Sequence, residues 1–144
     1  MDAIELLKQD HARVMELFNR VRNADLTQKR HLFQAIRLEL ERHTLIEETV
    51  FYPAFAEKEL LRERVQRSLD DHQEVKDLIS QLETADDDDD FDGLLEDLVE
   101  SVEHHVLEEE NDFFPDARTL YSERELAFLG DKLEEARERD LKAA

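Results

Sequence analysis

The sequence predicts an all-α fold: an up-down-up-down four-helix bundle with an internal twofold repeat, followed by a short C-terminal helix. Three observations predict it. Glycine and proline number two each in 144 residues, so little interrupts helix formation. Four long segments carry apolar residues at helical spacing. Short polar connections join them, which makes consecutive helices antiparallel neighbours.

The elements follow in order. The first stripe reads Ile4, Leu7, His11, Val14, Phe18 and Val21, with Asp2 and Glu5 as a capping pair at its start. The second reads Leu32, Ile36, Leu40, His43, Glu47 and Val50. It is expected to stop near Tyr52, because Pro53 disfavours helical geometry in the residue before it. The third reads Val65, Leu69, His72, Val75, Ile79 and Leu82. The fourth reads Leu95, Leu98, Val102, His105, Glu109 and Phe113, and is expected to end near Pro115. The first link runs from Asn23 to Gln28, and the third and fourth helices are linked by Asp86 to Asp90 with Asp92 and Gly93. This aspartate run lacks the alternating ligands and terminal glutamate of a calcium loop. It reads as a solvated turn that favours the N-terminus of the next helix. Ser122-Glu123-Arg124-Glu125 is a capping box that starts the C-terminal helix. The stripe of Leu126, Leu129, Leu133 and Ala136 packs that helix on the outside of the bundle. The organisation expected is a bundle over residues 1–118 and a C-terminal helix over 119–144.

Composition removes several function classes. There is no cysteine, hence no disulfide, thiolate ligand or cysteine nucleophile. The formal charge of −20 disfavours nucleic acid and anionic membrane surfaces as partners. No apolar run has the length of a membrane span and no signal-peptide core opens the chain. A cytoplasmic location is the expectation.

The stripes carry ionisable residues where apolar ones belong, and they do so twice. His11 recurs as His72 at an offset of 61 residues, and His43, Glu47 and Pro53 recur as His105, Glu109 and Pro115 at an offset of 62. Residues four apart on a helix share a face, so each histidine-glutamate pair points into the core. A buried, unpaired carboxylate costs several kcal/mol, about 2–7 even for a neutral polar group. No lysine or arginine lies on the four stripes to neutralise the glutamates. Metal ions are the better partners. A histidine and carboxylate set without thiolate suits iron, manganese or zinc. Two six-coordinate ions offer roughly twelve positions. Bridging Glu47 and Glu109, the imidazoles of His11, His43, His72 and His105, and a solvent-derived oxygen bridge leave about two open. Of the other histidines, His31 reads as surface and His104 as exposed or behind the ligands. Glu48 and Glu110 follow the two glutamates; solvent exposure is the first reading and a place behind the ligands the second. The pairs Phe51-Tyr52 and Phe113-Phe114 read as a plug that limits water entry.

These residues resemble the hemerythrin-like, or HHE cation-binding, family. The resemblance rests on Asp10-His11, His43 through Glu47 with Pro53, Asp71-His72, and His105 through Glu109 with Pro115. It implies a non-haem di-iron centre inside a four-helix bundle. His11, His43, Glu47, His72, His105 and Glu109 would be ligands, and Glu47 and Glu109 would bridge. Oxygen-carrying members have a further histidine one turn after the one on the third helix, where this chain has Lys76. One iron then lacks a nitrogen ligand and gains an open position, and the site becomes more symmetric. That shifts weight from reversible oxygen transport toward sensing, peroxide chemistry or iron handling.

The leading expectation is a protein that binds or senses oxygen, a related diatomic or peroxide at a dinuclear site. The alternatives are a peroxide-decomposing, catalase-like di-iron enzyme, and an iron storage or buffering protein. For any of them metal affinity is expected to fall below the ordinary histidine value, about pH 6.5.

Overall fold

The structure, a computed structural model, describes residues 1–143. It is built of helices α1 (Ala3–Arg22), α2 (Leu26–Ile46), α3 (Tyr52–Phe55), α4 (Arg62–Thr84), α5 (Asp88–Glu108), α6 (Phe114–Leu120) and α7 (Glu123–Ala143). A π-helical segment, Glu47–Phe51, joins α2 to α3 without a break, and a second, Glu109–Phe113, joins α5 to α6. The chain therefore forms five rods, four of them the expected bundle.

The helix starts follow the local chemistry. The Asp2 carboxylate accepts from the Glu5 N–H at 2.8 Å, and that of Asp25 from the Gln28 N–H at 2.9 Å. Asp87 does the same for Asp90, so α5 begins inside the aspartate run rather than after Gly93. Asp88, Asp89 and Asp90 occupy its first turn, where negative charge complements the helix dipole. Ser122 and Glu125 form the reciprocal capping box, at 3.1 and 3.0 Å.

Two expectations need correction. The second and fourth rods do not stop at Tyr52 and Pro115; they run on to Phe55 and Leu120. In each π segment the N–H bonds reach five residues back, Tyr52 to the Glu47 carbonyl and Phe114 to the Glu109 carbonyl. The prolines then fall in the first turn of the following α segment, the part of a helix that tolerates proline best. The C-terminal helix is also not short. At 21 residues it matches α2 and α5 in length and packs against α1, α2 and the first π segment.

The core lies in two parts. Val14, Phe18, Phe33, Ile36, Phe91 and Leu98 belong to the end that carries the α1–α2 and α4–α5 turns. Ile4, Leu7, Phe51, Phe55, Phe113 and Phe114 belong to the other, where Leu126 and Leu133 of α7 join them. His11, His43, His72 and His105 lie along the helices between these parts. Among the described residues no helix is long and apolar enough to cross a membrane.

Candidate metal centre

Glu47 and Glu109, each at the junction of an α-helix with a π segment, are 0% and 1% exposed. They face each other's helices across the bundle axis, and the four stripe histidines close on them. His43 Nε2 lies 2.9 Å and His72 Nε2 3.1 Å from Glu47 Oε1. His11 Nε2 lies 3.1 Å from Glu109 Oε1, and His105 Nε2 3.5 Å from Glu109 Oε2. One donor atom from each of His11, His43, Glu47 and Glu109 falls within a 4.8 Å cluster, and Glu47, His72 and His105 form a second. All six predicted residues are thus brought together, and Glu47 is common to both clusters. His31 and His104 stay outside it: His31 is exposed, and the His104 side chain, 70% exposed, pairs only with Glu108 at 3.1 Å.

The outward nitrogen of every imidazole meets a carboxylate. His11 Nδ1 donates to Glu110 at 2.6 Å and His72 Nδ1 to Glu48 at 2.8 Å. His43 Nδ1 donates to Asp10 at 2.9 Å and His105 Nδ1 to Asp71 at 3.2 Å. Each ring is therefore held with Nε2 turned inward, the arrangement that orients histidine toward a metal. This corrects the reading of Glu48 and Glu110 as solvent-facing. They, with Asp10 and Asp71, were legible as a pattern: Glu48 recurs as Glu110, and Asp10 as Asp71, at the same offsets as the ligands.

The halves differ where Tyr52 has Phe114 as its counterpart at the 62-residue offset. The Tyr52 hydroxyl donates to Glu109 Oε2 at 2.5 Å and lies 3.2 and 3.4 Å from Nε2 of His72 and His105. Phe114 has no such group and stacks on His11, centroids 5.8 Å apart. The site is therefore less symmetric than the sequence suggests. Lys76 points away from the centre and grips Glu48 at 2.8 Å.

Burial and the carboxylates compete at every ring. For His43, burial opposes the charge, but Glu47 and Asp10 outweigh it and raise the imidazole to about 10. His11, His72 and His105 are likewise raised, against burial, by the carboxylates on their two nitrogens. Burial alone would push the Glu109 carboxyl up, yet His105 and the bonds around it hold it well below the usual range. The His72 bond, with Lys76, brings Glu48 down to about 2. Burial, with Glu109 and Glu47, raises the Tyr52 hydroxyl.

A cation fits this donor set. His11 Nε2, His43 Nε2, Glu47 Oε2 and Glu109 Oε1 are sealed from solvent and make no directed hydrogen bond. Orphaned buried atoms of this kind are rare in folded proteins unless an ion or water completes them. A bundle with paired inward carboxylates and imidazoles belongs to the class of helical metal-binding scaffolds. The match to family models narrows this: residues 2–117 match the hemerythrin HHE cation-binding domain, and the chain belongs to that family. It is also similar in structure to a hemerythrin HHE cation-binding domain-containing protein of Mycobacterium kansasii. The two share 25% identity over 99% of this chain and 91% of the other, with a TM-score of 0.81. No curated protein matches the chain.

Proposed function

We propose that the chain is a non-haem di-iron protein that binds or senses dioxygen, a related diatomic or peroxide. His11 and His43 would hold one ion and His72 and His105 the other, with Glu47 and Glu109 between them. The observation that carries the reading is the inward convergence of four Nε2 atoms on two buried glutamates, each ring fixed from behind by a carboxylate. Bound iron would supply reversible electron transfer and open coordination positions.

The chain's own residues set the surroundings. A cavity of about 20 Å³ lies against all four imidazoles and is walled by Val14, Leu40, Val75 and Val102. A volume of that order admits a water-sized guest. Its aliphatic wall favours a small uncharged ligand. Phe51, Phe113 and Phe114 close the opposite side, with Phe51 and Phe113 rings 5.5 Å apart. The Tyr52 hydroxyl keeps its proton and donates a hydrogen bond to Glu109, which it can turn to a guest at the His72 and His105 side.

Metal analysis of protein purified without added metal is the first test, and about two iron ions per chain is the expected result. The iron-loaded, reduced protein should gain a visible charge-transfer band on exposure to oxygen, reversed by evacuation. Less than about one ion per chain, given how strongly such ligand sets hold transition metals, overturns the metal reading. Irreversible oxidation without a band overturns the gas-binding one. A second reading, peroxide decomposition, draws on the Tyr52 hydroxyl beside Glu109. Oxygen release from peroxide, abolished in Glu47→Ala and Glu109→Ala, would favour it over gas binding.

A further inference from the structure

We propose that Arg137 of α7 is a positioning residue for His43, so that the two metal positions differ in how firmly they hold their ion. The inference rests on the metal reading above and asks more of it. Arg137 Nη2 donates to both oxygens of Asp10, each at 2.6 Å. Asp10 Oδ2 in turn accepts from His43 Nδ1 at 2.9 Å, and His43 Nε2 stands 2.9 Å from Glu47. The path from the C-terminal helix to a ligand imidazole is therefore one carboxylate long. Asp10 is 2% exposed and is gripped a second time by Arg13.

Behind His105 there is no such latch; the cation on the other orienting carboxylate of that position is Lys76, on Glu48 behind His72, where a half-exposed lysine makes one contact with a carboxylate 25% exposed. Asp71, the counterpart of Asp10, has a side chain 26% exposed, and its one ion-pair partner among the described residues is His105, at 3.2 Å. The counterpart of Arg13 is Glu74, at the 61-residue offset. No helix equivalent to α7 follows the first half. The two pairs also differ at the ligand: His105 Nε2 is 3.5 Å from Glu109, whose Oε2 also takes the Tyr52 hydroxyl, against 2.9 Å from His43 Nε2 to Glu47.

The physics is orientation. A charge-assisted bond from a guanidinium fixes a carboxylate more firmly than solvent does. A carboxylate so fixed holds its imidazole in the ligating rotamer, which lowers the ordering needed when an ion binds. Asp10 stands between the guanidiniums and the ring, so their charge is neutralised there rather than presented to the metal. The ion held by His11 and His43 should leave slowly, and the ion held by His72 and His105 should leave first.

The test uses the full chain loaded anaerobically with ferrous iron and challenged with an excess of a coloured ferrous chelator. The wild-type protein should release iron in two phases of equal amplitude. Loss of an orienting partner behind a metal ligand costs about 10–100-fold in affinity. Arg137→Met should therefore accelerate the slow phase roughly 10-fold or more and leave the fast phase unchanged. Arg137→Lys should fall between. Asp140→Asn removes another ion pair of the same helix, Arg42–Asp140 at 3.4 Å; it should change neither phase. A slow phase unmoved by Arg137→Met, equal acceleration of both phases, or single-phase release of two irons overturns the latch. Fewer than about one iron per chain overturns the metal reading instead. Should Arg137→Met fail to fold, Arg137→Lys carries the test, and an unaltered slow phase overturns the proposal.

Discussion

Metal loading should expel protons, and the structure bounds how many. Each imidazole must be neutral to ligate. In the metal-free protein all four are raised above their ordinary value, His43 to about 10, because carboxylates on both ring nitrogens outweigh burial. At pH 6.5 His43, raised to about 10, holds its proton, so loading should release at least about one proton per chain, with more from the other three raised rings. The sign for stability follows. A group raised on folding adds stability that is complete below its unfolded value, near 6.5, and is lost as pH rises through its folded value. For His43 that window runs from 6.5 to about 10. At 1.36 kcal/mol per tenfold change in proton affinity, this ring alone contributes on the order of 5 kcal/mol. The metal-free protein should therefore lose stability from neutral pH upward, while the loaded protein gains as protons compete less. Metal affinity should still be rising between about pH 7 and 9, well above the unperturbed histidine range. Calorimetric titration of zinc into apoprotein, in two buffers of different ionisation enthalpy, counts the protons. Release of fewer than one proton at pH 6.5, or parallel pH profiles of melting for the two forms, would refute the reasoning.

Three further outcomes are expected. Tyr52→Phe leaves Glu109 without its shortest donor, which should cost about 1–3 kcal/mol in the metal-free protein and less in the loaded one; equal losses by thermal melting would mean that the hydroxyl acts on something besides that carboxylate. Glu48→Gln and Glu110→Gln should each weaken metal binding by about 10–100-fold, and a competition titration showing wild-type affinity would remove their orienting role. Gly130→Ala would place a Cβ 2.5 Å from the Met1 carbonyl oxygen and 2.9 Å from Asp2, backbone that yields poorly, so a loss of about 1–3 kcal/mol is expected; an unchanged melting temperature would show that α7 does not press on the N-terminus.

The fold was legible because its signals are local. Apolar spacing, caps and short links name the four bundle helices and the start of α7, and the stripe Leu126, Leu129, Leu133 and Ala136 is buried as read. The six inward residues were legible because duplication at a fixed offset separates them from ordinary stripe polarity. What local rules missed depends on register or on distance. The rods pass through Pro53 and Pro115 because five-residue hydrogen bonding places both prolines at a helix start, which no single-residue propensity reports. Arg137 lies 127 residues from Asp10, and nothing in a single sequence joins them. Glu48 was misread because its neighbours suggest solvent, whereas His72 approaches from another helix.

The π segments explain why adjacent aromatics can both face inward. In a regular α-helix two consecutive residues point about 100° apart, so Phe51 and Tyr52 could not both lie on a narrow core stripe. The wider π turn places residues four and five positions on from Glu47 on either side of its own direction. Phe51 and Tyr52 are accordingly 0% and 1% exposed, and Phe113 and Phe114 are 2% and 1%, while Val50 of the predicted stripe is only half-buried. The register up to Glu47 stays α-helical, with the Glu47 N–H bonded to the His43 carbonyl, which keeps ring and carboxylate on one face. One change of helical pitch thus does two jobs at the same residue. It ends the ligand pair in register, and it turns a hydroxyl in one half and a phenyl ring in the other onto the imidazoles. The backbone symmetry builds a matched pair of histidine-glutamate clusters, and the side chains that follow the pitch change make the pair unequal.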